Sequence, residues 1–156
     1  MIEFKTGNIF DSKCTTLVNT VNCVGVMGKG LALQFKEKYP HIMTPYKIAC
    51  NKGKLKNGGD LWMFSMKDYI PFDFIITNYP RILCFATKEN WRNSSKLEWI
   101  ERGLQNFIEK NKEWNIKTIA FPKLGCTNGG LKWKDVKPLM IKYLENLEDI
   151  YIEIYE

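Results

Sequence analysis

Apolar residues along this chain alternate between short strand-like runs and helical stripes. Ile2–Lys5 and Thr16–Val21 read as strands, the second a nearly continuous apolar run suited to a buried position. Residues 31–39 follow as a helix with Leu31, Leu33, Phe35 and Tyr39 as candidate core positions, stopped by Pro40. Residues 41–51 form a second short helical segment, and 61–66, 74–77 and 82–86 read as strands of a central sheet. Ser95-x-x-Glu98 has the form of a capping box, with Leu97, Ile100, Leu104, Phe107 and Ile108 as the stripe behind it. Thr118–Phe121 is a short buried strand. Val136, Leu139, Met140, Tyr143, Leu144 and Leu147 give the cleanest helical spacing, and Ile150, Ile152 and Ile154 alternate as a closing strand. Strands interleaved with helices predict an α/β layer architecture, with helices on both faces of a mixed sheet.

Composition narrows the class. The 156 residues are 45% hydrophobic and 26% charged, which argues for one folded domain and against disorder. No run approaches the roughly 18 apolar residues of a membrane span, and the first residues lack the features of a signal peptide. A cytoplasmic protein without a membrane partner is expected. The five cysteines include no C-x-x-C pair, and the single histidine, His41, has no Cys or His cluster near it. Neither a disulfide framework nor a metal site is expected, and no cofactor. Any catalysis must then rest on carboxylates, lysine or the backbone. The formal charge of +6 fits a nucleic-acid partner, and fits equally the Lys, Asn and Ile bias of an AT-rich genome.

The chemistry-bearing feature is a pair of glycine-rich turns, each between a strand and a helix. The first is Gly25-Val-Met-Gly28-Lys-Gly30, and the second is Gly125-Cys-Thr-Asn-Gly129-Gly130. Glycines let backbone N–H groups approach a ligand, and a helix N-terminus behind the turn adds positive partial charge. Neither turn is a P-loop or a G-x-G-x-x-G dinucleotide turn. Singly, each could be a plain turn. Two at the carboxyl end of one sheet fit a ligand with two adjacent phosphates.

Longer segments around these turns carry a resemblance. The run from Leu17 to Lys36, LVNTVNCVGVMGKGLALQFK, resembles the first ligand loop of macrodomains. It resembles in particular the branch of DarG, the DNA ADP-ribosyl glycohydrolase antitoxins, and of terminal ADP-ribose protein glycohydrolase. Phe85-Ala-Thr-Lys-Glu-Asn-Trp-Arg92 is similar to the F-P-T-K-x-x-W-R segment of DarG. Phe121-Pro-Lys-Leu-Gly-Cys-Thr-Asn-Gly-Gly-Leu-Lys-Trp133 is similar to its second phosphate loop. With Thr6-Gly-Asn-Ile-Phe10, the matches run in order from residue 6 to 133. The fold implied is a single three-layer α/β/α macrodomain over residues 1–156.

The resemblance also implies a site. Gly28, Lys29 and Gly30 would line the diphosphate and distal ribose, with Thr87 beside them. Gly125, Cys126, Thr127, Asn128, Gly129, Gly130 and Leu131 would close over the phosphates from the other side. Asn8 and Ile9 would lie at the adenine end, and Asn22 would face the distal ribose. Lys88 would be the catalytic lysine. Three departures stand out: Asn8 where many macrodomains have Asp, Ala86 where DarG has proline, and Thr127–Gly130 where protein-deglycosylating relatives carry an acidic residue.

Plainer readings stand beside these. A loop lysine is usually solvated surface, and Asn22 could simply cap a turn. Cys126 has no recognisable base partner, so a small loop-filling residue fits it better than a nucleophile. Trp99, at helical spacing, suits core or half-buried surface. Trp91, next to Arg92 and close to Lys88, is the tryptophan expected to meet nucleic acid together with that arginine. Lys52, Lys54 and Lys56 suit a solvated turn. The expected activity is hydrolysis of ADP-ribose from a DNA base, releasing ADP-ribose. The substrate would be single-stranded ADP-ribosylated DNA, and a cognate ADP-ribosyltransferase toxin the partner of a monomeric antitoxin. The alternatives are a reader that holds ADP-ribose without chemistry and a glycohydrolase acting on protein carboxylates. Lys88 separates the first from an enzyme, because a pure binder needs no amine at the anomeric carbon.

Overall fold

The apolar runs pair side by side in one sheet. The computed structural model describes residues 1–69 and 79–156. Within them the strands are β1 (Ile2–Lys5), β2 (Thr16–Val21), β3 (Leu61–Phe64), β4 (Arg81–Ala86), β5 (Thr118–Phe121) and β6 (Tyr151–Tyr155). Their order across the sheet is β1-β6-β5-β2-β4-β3. Every neighbouring pair is parallel except β3, which runs antiparallel to β4 at the edge. The strand expected over 74–77 lies outside the described residues.

Four helices among the described residues cover the two faces: α1 (Gly30–Lys38), α2 (Met43–Asn51), α3 (Leu97–Lys110) and α4 (Trp133–Leu144). Strand alternation divides the core. Leu17 and Val21 of β2 and Ile82, Cys84 and Ala86 of β4 meet Phe35, Tyr39, Tyr46 and Ala49 from the α1–α2 side. Val18 of β2 and Leu83 and Phe85 of β4 meet Ile100, Leu104, Phe107, Val136, Met140 and Leu144 from α3 and α4. This is the expected three-layer arrangement. On α3 the buried stripe runs through Gly103, while Leu97 and Ile108 are exposed. A side chain at Gly103 would run into the Phe85 ring, so the glycine sets how closely α3 approaches the sheet.

Local boundaries depart from the pattern at four places. The segment after Pro40 begins as a 3₁₀ turn, Pro40–Ile42, before α2 starts, and β3 stops at Phe64 with Met66 already in another 3₁₀ turn. Helix α4 runs from Trp133 to Leu144, leaving Leu147 to pack from the following turn. The capping box does not form. Lys96 takes the N-cap of α3 without a side-chain bond, because Ser95 is drawn under the second glycine turn. Its N–H donates to the Gly129 carbonyl at 2.9 Å, and its hydroxyl is buried without a partner among the described residues. No helix among the described residues is long and apolar enough to cross a membrane.

The closing strand carries one residue that alternation alone would leave in water. Glu153 faces away from Ile152 and Ile154, yet it is only 5% exposed. Its carboxylate accepts hydrogen bonds from Ser12 Oγ at 2.6 Å, Tyr151 OH at 2.9 Å and Tyr155 OH at 3.2 Å, and pairs with Lys5 Nζ at 3.2 Å. Burial works against the charge, but the bonds from Ser12, Tyr151 and Lys5 outweigh it and hold the carboxyl down at about 2. Because the folded value lies below the unfolded one, this contribution to stability is complete above about pH 5 and is lost as pH falls toward about 2. Urea midpoints of the native chain and Glu153→Gln should therefore differ at neutral pH and converge on acidification. A constant difference down to about pH 2 would contradict this account of the cluster.

Candidate active site

Parallel pairing sends the carboxyl ends of β1, β6, β5, β2 and β4 to one edge of the sheet, and the segments leaving that edge enclose a cavity of about 1080 Å³. That is about the upper end of the range for small-molecule sites. Gly7, Asn8 and Ile9 line it after β1, with Tyr155 and Glu156 at the end of β6. Thr87, Lys88, Trp91 and Arg92 line it after β4. The two glycine turns contribute the middle.

The first turn is held from within by Asn22, at the end of β2. Asn22 Oδ1 accepts from the N–H groups of Val24 at 3.1 Å and Val26 at 3.3 Å, while Nδ2 donates to the Val26 carbonyl at 2.7 Å. Gly28, Lys29 and Gly30, the last of them the first residue of α1, then reach the cavity. A side chain built on Gly28 would meet only Val26 Cγ1 at 3.6 Å, whereas one on Gly30 would run into the Asn128 amide. The two turns therefore touch at Gly30 and Asn128.

The second turn is closed by its own backbone. Leu131 N–H donates to the Gly125 carbonyl at 3.0 Å, and Cys126 N–H to that of Lys123 at 3.2 Å. Gly129 lies against Ser95 Oγ and the Gly125 carbonyl, with no room for a Cβ. Cys126 donates its thiol to the Leu124 carbonyl at 3.4 Å, and burial raises its pKa above the ordinary thiol value, only partly opposed by Lys123. It is a protonated, loop-filling residue.

Lys88 stands where β4 leaves the sheet. The N–H groups of Thr87 and Lys88 both donate to the Val21 carbonyl, at 3.1 and 3.4 Å, and Cys23 N–H donates to the Glu89 carbonyl at 3.1 Å. The backbone of Lys88 is thus bound to the end of β2. Its Nζ reaches the Trp91 carbonyl at 3.4 Å. Burial, and then the nearby Lys29, lower its pKa from the ordinary lysine value, which enlarges the fraction of neutral amine. Trp91 is 48% exposed at the mouth, with the Arg92 guanidinium 4.9 Å from its ring centroid.

Most of the residues expected from sequence meet here: Asn8, Ile9, Asn22, Gly28, Lys29, Gly30, Thr87, Lys88, Trp91, Arg92 and Gly125 to Gly129 all line the cavity. Gly130 and Leu131 are not part of that lining; the Leu131 N–H closes the second turn on the Gly125 carbonyl. The Asn8 side chain accepts from Phe10 N–H at 2.9 Å and so organises its own turn. Sequence reasoning missed Tyr155, Glu156 and Lys123. The first two arrive only through the pairing of β6 with β1, which no local pattern encodes; Lys123 sat inside the quoted second-loop segment. Lys29, Lys88, Arg92 and Lys123 face one carboxylate in the lining, Glu156, which Lys137 already bridges at 3.0 Å. The cavity favours an anion. Among the described residues there is no cluster of metal-ligating side chains.

Comparison with known proteins agrees with this geometry. A family model described as Macro domain matches residues 18–140. The DNA ADP-ribosyl glycohydrolase of Mycobacterium tuberculosis is 40% identical over 155 residues, covering 99% of this chain and 42% of that protein. The chain thus spans about two fifths of the length of the curated relatives it matches. The solved macrodomain of M. tuberculosis DarG superposes with a TM-score of 0.88 at 39% identity, covering 99% of this chain and 97% of that one. A Thermosipho africanus DarTG structure in complex with ADP-ribose gives 0.86 at 38% identity, covering 99% of this chain and 41% of that one. A related T. africanus sequence, 39% identical over 157 residues, covers 96% of this chain and 40% of that protein. It is named a DNA ADP-ribosyl transferase–DNA ADP-ribosyl glycohydrolase fusion protein. With the sheet order, the paired glycine turns and the family match over the same residues, this chain belongs to the Macro domain family.

Proposed function

We propose that this chain binds ADP-ribose in the cavity and hydrolyses it from a modified DNA base. The observation that carries the ligand is the order of the loops. The ends of β1 and β4 lie four strand spacings apart, roughly 19 Å at about 4.8 Å each. The glycine turns that follow β5 and β2 fall between them. An extended ligand with a base at one end, a sugar at the other and two phosphates in the middle fits that order. Adenine would lie by Asn8, Ile9 and Tyr155. The diphosphate would sit between Gly28–Gly30 and Gly125–Gly129, and the distal ribose near Thr87 and Lys88.

In this pose the Lys88 amine, its pKa lowered by burial and by Lys29, engages C1″ of the distal ribose, either by attack through its deprotonated fraction or by stabilising charge as the base departs. The C1″–N bond to the base breaks, the base nitrogen leaves as a stabilised anion and takes up a proton. Water supplies the hydroxyl at C1″, so the products are ADP-ribose and unmodified DNA. Four features favour DNA over protein as acceptor. The curated relatives bear the name DNA ADP-ribosyl glycohydrolase. The second turn has no carboxylate, and the cavity lining is rich in cations. Trp91, stacked with Arg92, would receive a base of a single strand. The fusion relative supports a DNA ADP-ribosyltransferase as partner, with this domain acting as the reversing half of a toxin–antitoxin pair.

Two variants test the reading. Gly28→Glu introduces a carboxylate where only Val26 is close, so the turn survives while the phosphate region becomes repulsive. ADP-ribose affinity should fall at least about tenfold, or about 1.4 kcal/mol, by calorimetry. Unchanged affinity would remove the first turn from the diphosphate site. Lys88→Ala should lose about a hundredfold or more in kcat on ADP-ribosylated DNA while ADP-ribose binding stays within about threefold. Near-normal turnover in this variant would eliminate the amine from the mechanism.

A further inference from the structure

Tyr46, on α2, is the largest side chain completely removed from solvent, and it carries a hydroxyl into the core. A phenylalanine would fill the same space without a polar group to satisfy. The hydroxyl donates to Asn22: the main-chain oxygen lies at 2.7 Å and Oδ1 at 3.0 Å. Asn22 Oδ1 is the atom that also receives the Val24 and Val26 N–H groups. Asn22 therefore has its amide committed to the turn, with a single Nδ2 hydrogen left over. Its neighbours carry the next segment. The Val21 carbonyl holds the Thr87 and Lys88 N–H groups, Cys23 N–H holds the Glu89 carbonyl, and the Cys23 thiol donates to the Lys88 carbonyl at 3.5 Å. One buried hydroxyl thus sits at the junction of the first glycine turn and the lysine-bearing segment.

We propose that Tyr46 is a positioning residue, acting through Asn22 to fix the turn 22–26 and, with it, the backbone that presents Lys88 to the cavity. Asn22 organises the turn while it also lines the cavity, with one Nδ2 hydrogen left for a ligand. A buried hydrogen bond of this kind adds little to net stability, so its loss should appear in geometry before it appears in unfolding. The turnover part of this inference rests on the function proposed above; the geometric part does not.

The test is Tyr46→Phe, which keeps the ring and deletes the hydroxyl. Its Tm should fall by about 4 °C or less. Amide exchange at Val24, Val26 and Lys88 should accelerate about tenfold, and kcat on ADP-ribosylated DNA should drop about tenfold with ADP-ribose Kd within about threefold. Asn22→Ala removes the Oδ1 acceptor, leaving the main-chain one, and should accelerate exchange at Val24 and Val26 at least as much. Ile42→Val, from the same core but with no bond to the turn, is the control. It should lower Tm comparably and leave kcat and the three amides unchanged. Unchanged exchange and kcat in Tyr46→Phe, or the same acceleration in Ile42→Val, would overturn the proposal. If the native chain does not turn over ADP-ribosylated DNA, the proposed function fails, and exchange at the three amides alone decides the role of Tyr46.

Discussion

The parallel pairing of β2 with β4 on one side and β5 on the other is the constraint on which the rest depends. Strand β2 is buried on both faces and central, with Thr16 aligned to both Arg81 and Ile119. Parallel neighbours finish at the same edge. The residues that follow them, Asn22, Thr87 and Pro122, are therefore brought together without being near in sequence. An antiparallel arrangement would send Lys88 to the opposite end of the sheet. The helices then begin at that edge, with α1 rising from the first glycine turn and α4 from the second, so N–H groups and positive helix ends face one space.

Buried polar groups lie against both turns. Asn19 Oδ1 and Ser95 Oγ are enclosed without hydrogen-bond partners among the described residues, one beside Met27 of the first turn and one beneath the second. The Tyr46–Asn22 contact is the opposite case, a buried polar pair whose oxygens are all bonded. Both choices act on the shape of the turns and not on the bulk of the core, which Phe35, Phe85, Phe107 and Phe121 fill.

Much of this was legible in the sequence because periodicity survives burial. Val136, Met140 and Leu144 lie one turn apart and all face the sheet, and the apolar run Thr16–Val21 is the central strand. The glycine turns were legible because their type is set by close approach, as at Gly129. What the sequence did not disclose were contacts between distant segments. Ser95 reads as a cap from its local spacing, and only the presence of Gly129 above it explains why it turns inward. Glu153 reads as a solvent-facing residue until Ser12 and Lys5 are seen around it. Asn22 reads as a ligand for the sugar, and only the fold shows that its amide also holds Val24, Val26 and Tyr46.

The proposed chemistry is removal of ADP-ribose from DNA in the cavity, with Lys88 at the sugar and cations at the mouth. It is tested most directly by kcat/KM measured side by side on single-stranded ADP-ribosylated DNA and on mono-ADP-ribosylated protein, each at low and high salt. The account predicts faster turnover on DNA, declining as salt screens the phosphate contacts. Faster turnover on protein, with no salt dependence on DNA, would contradict it.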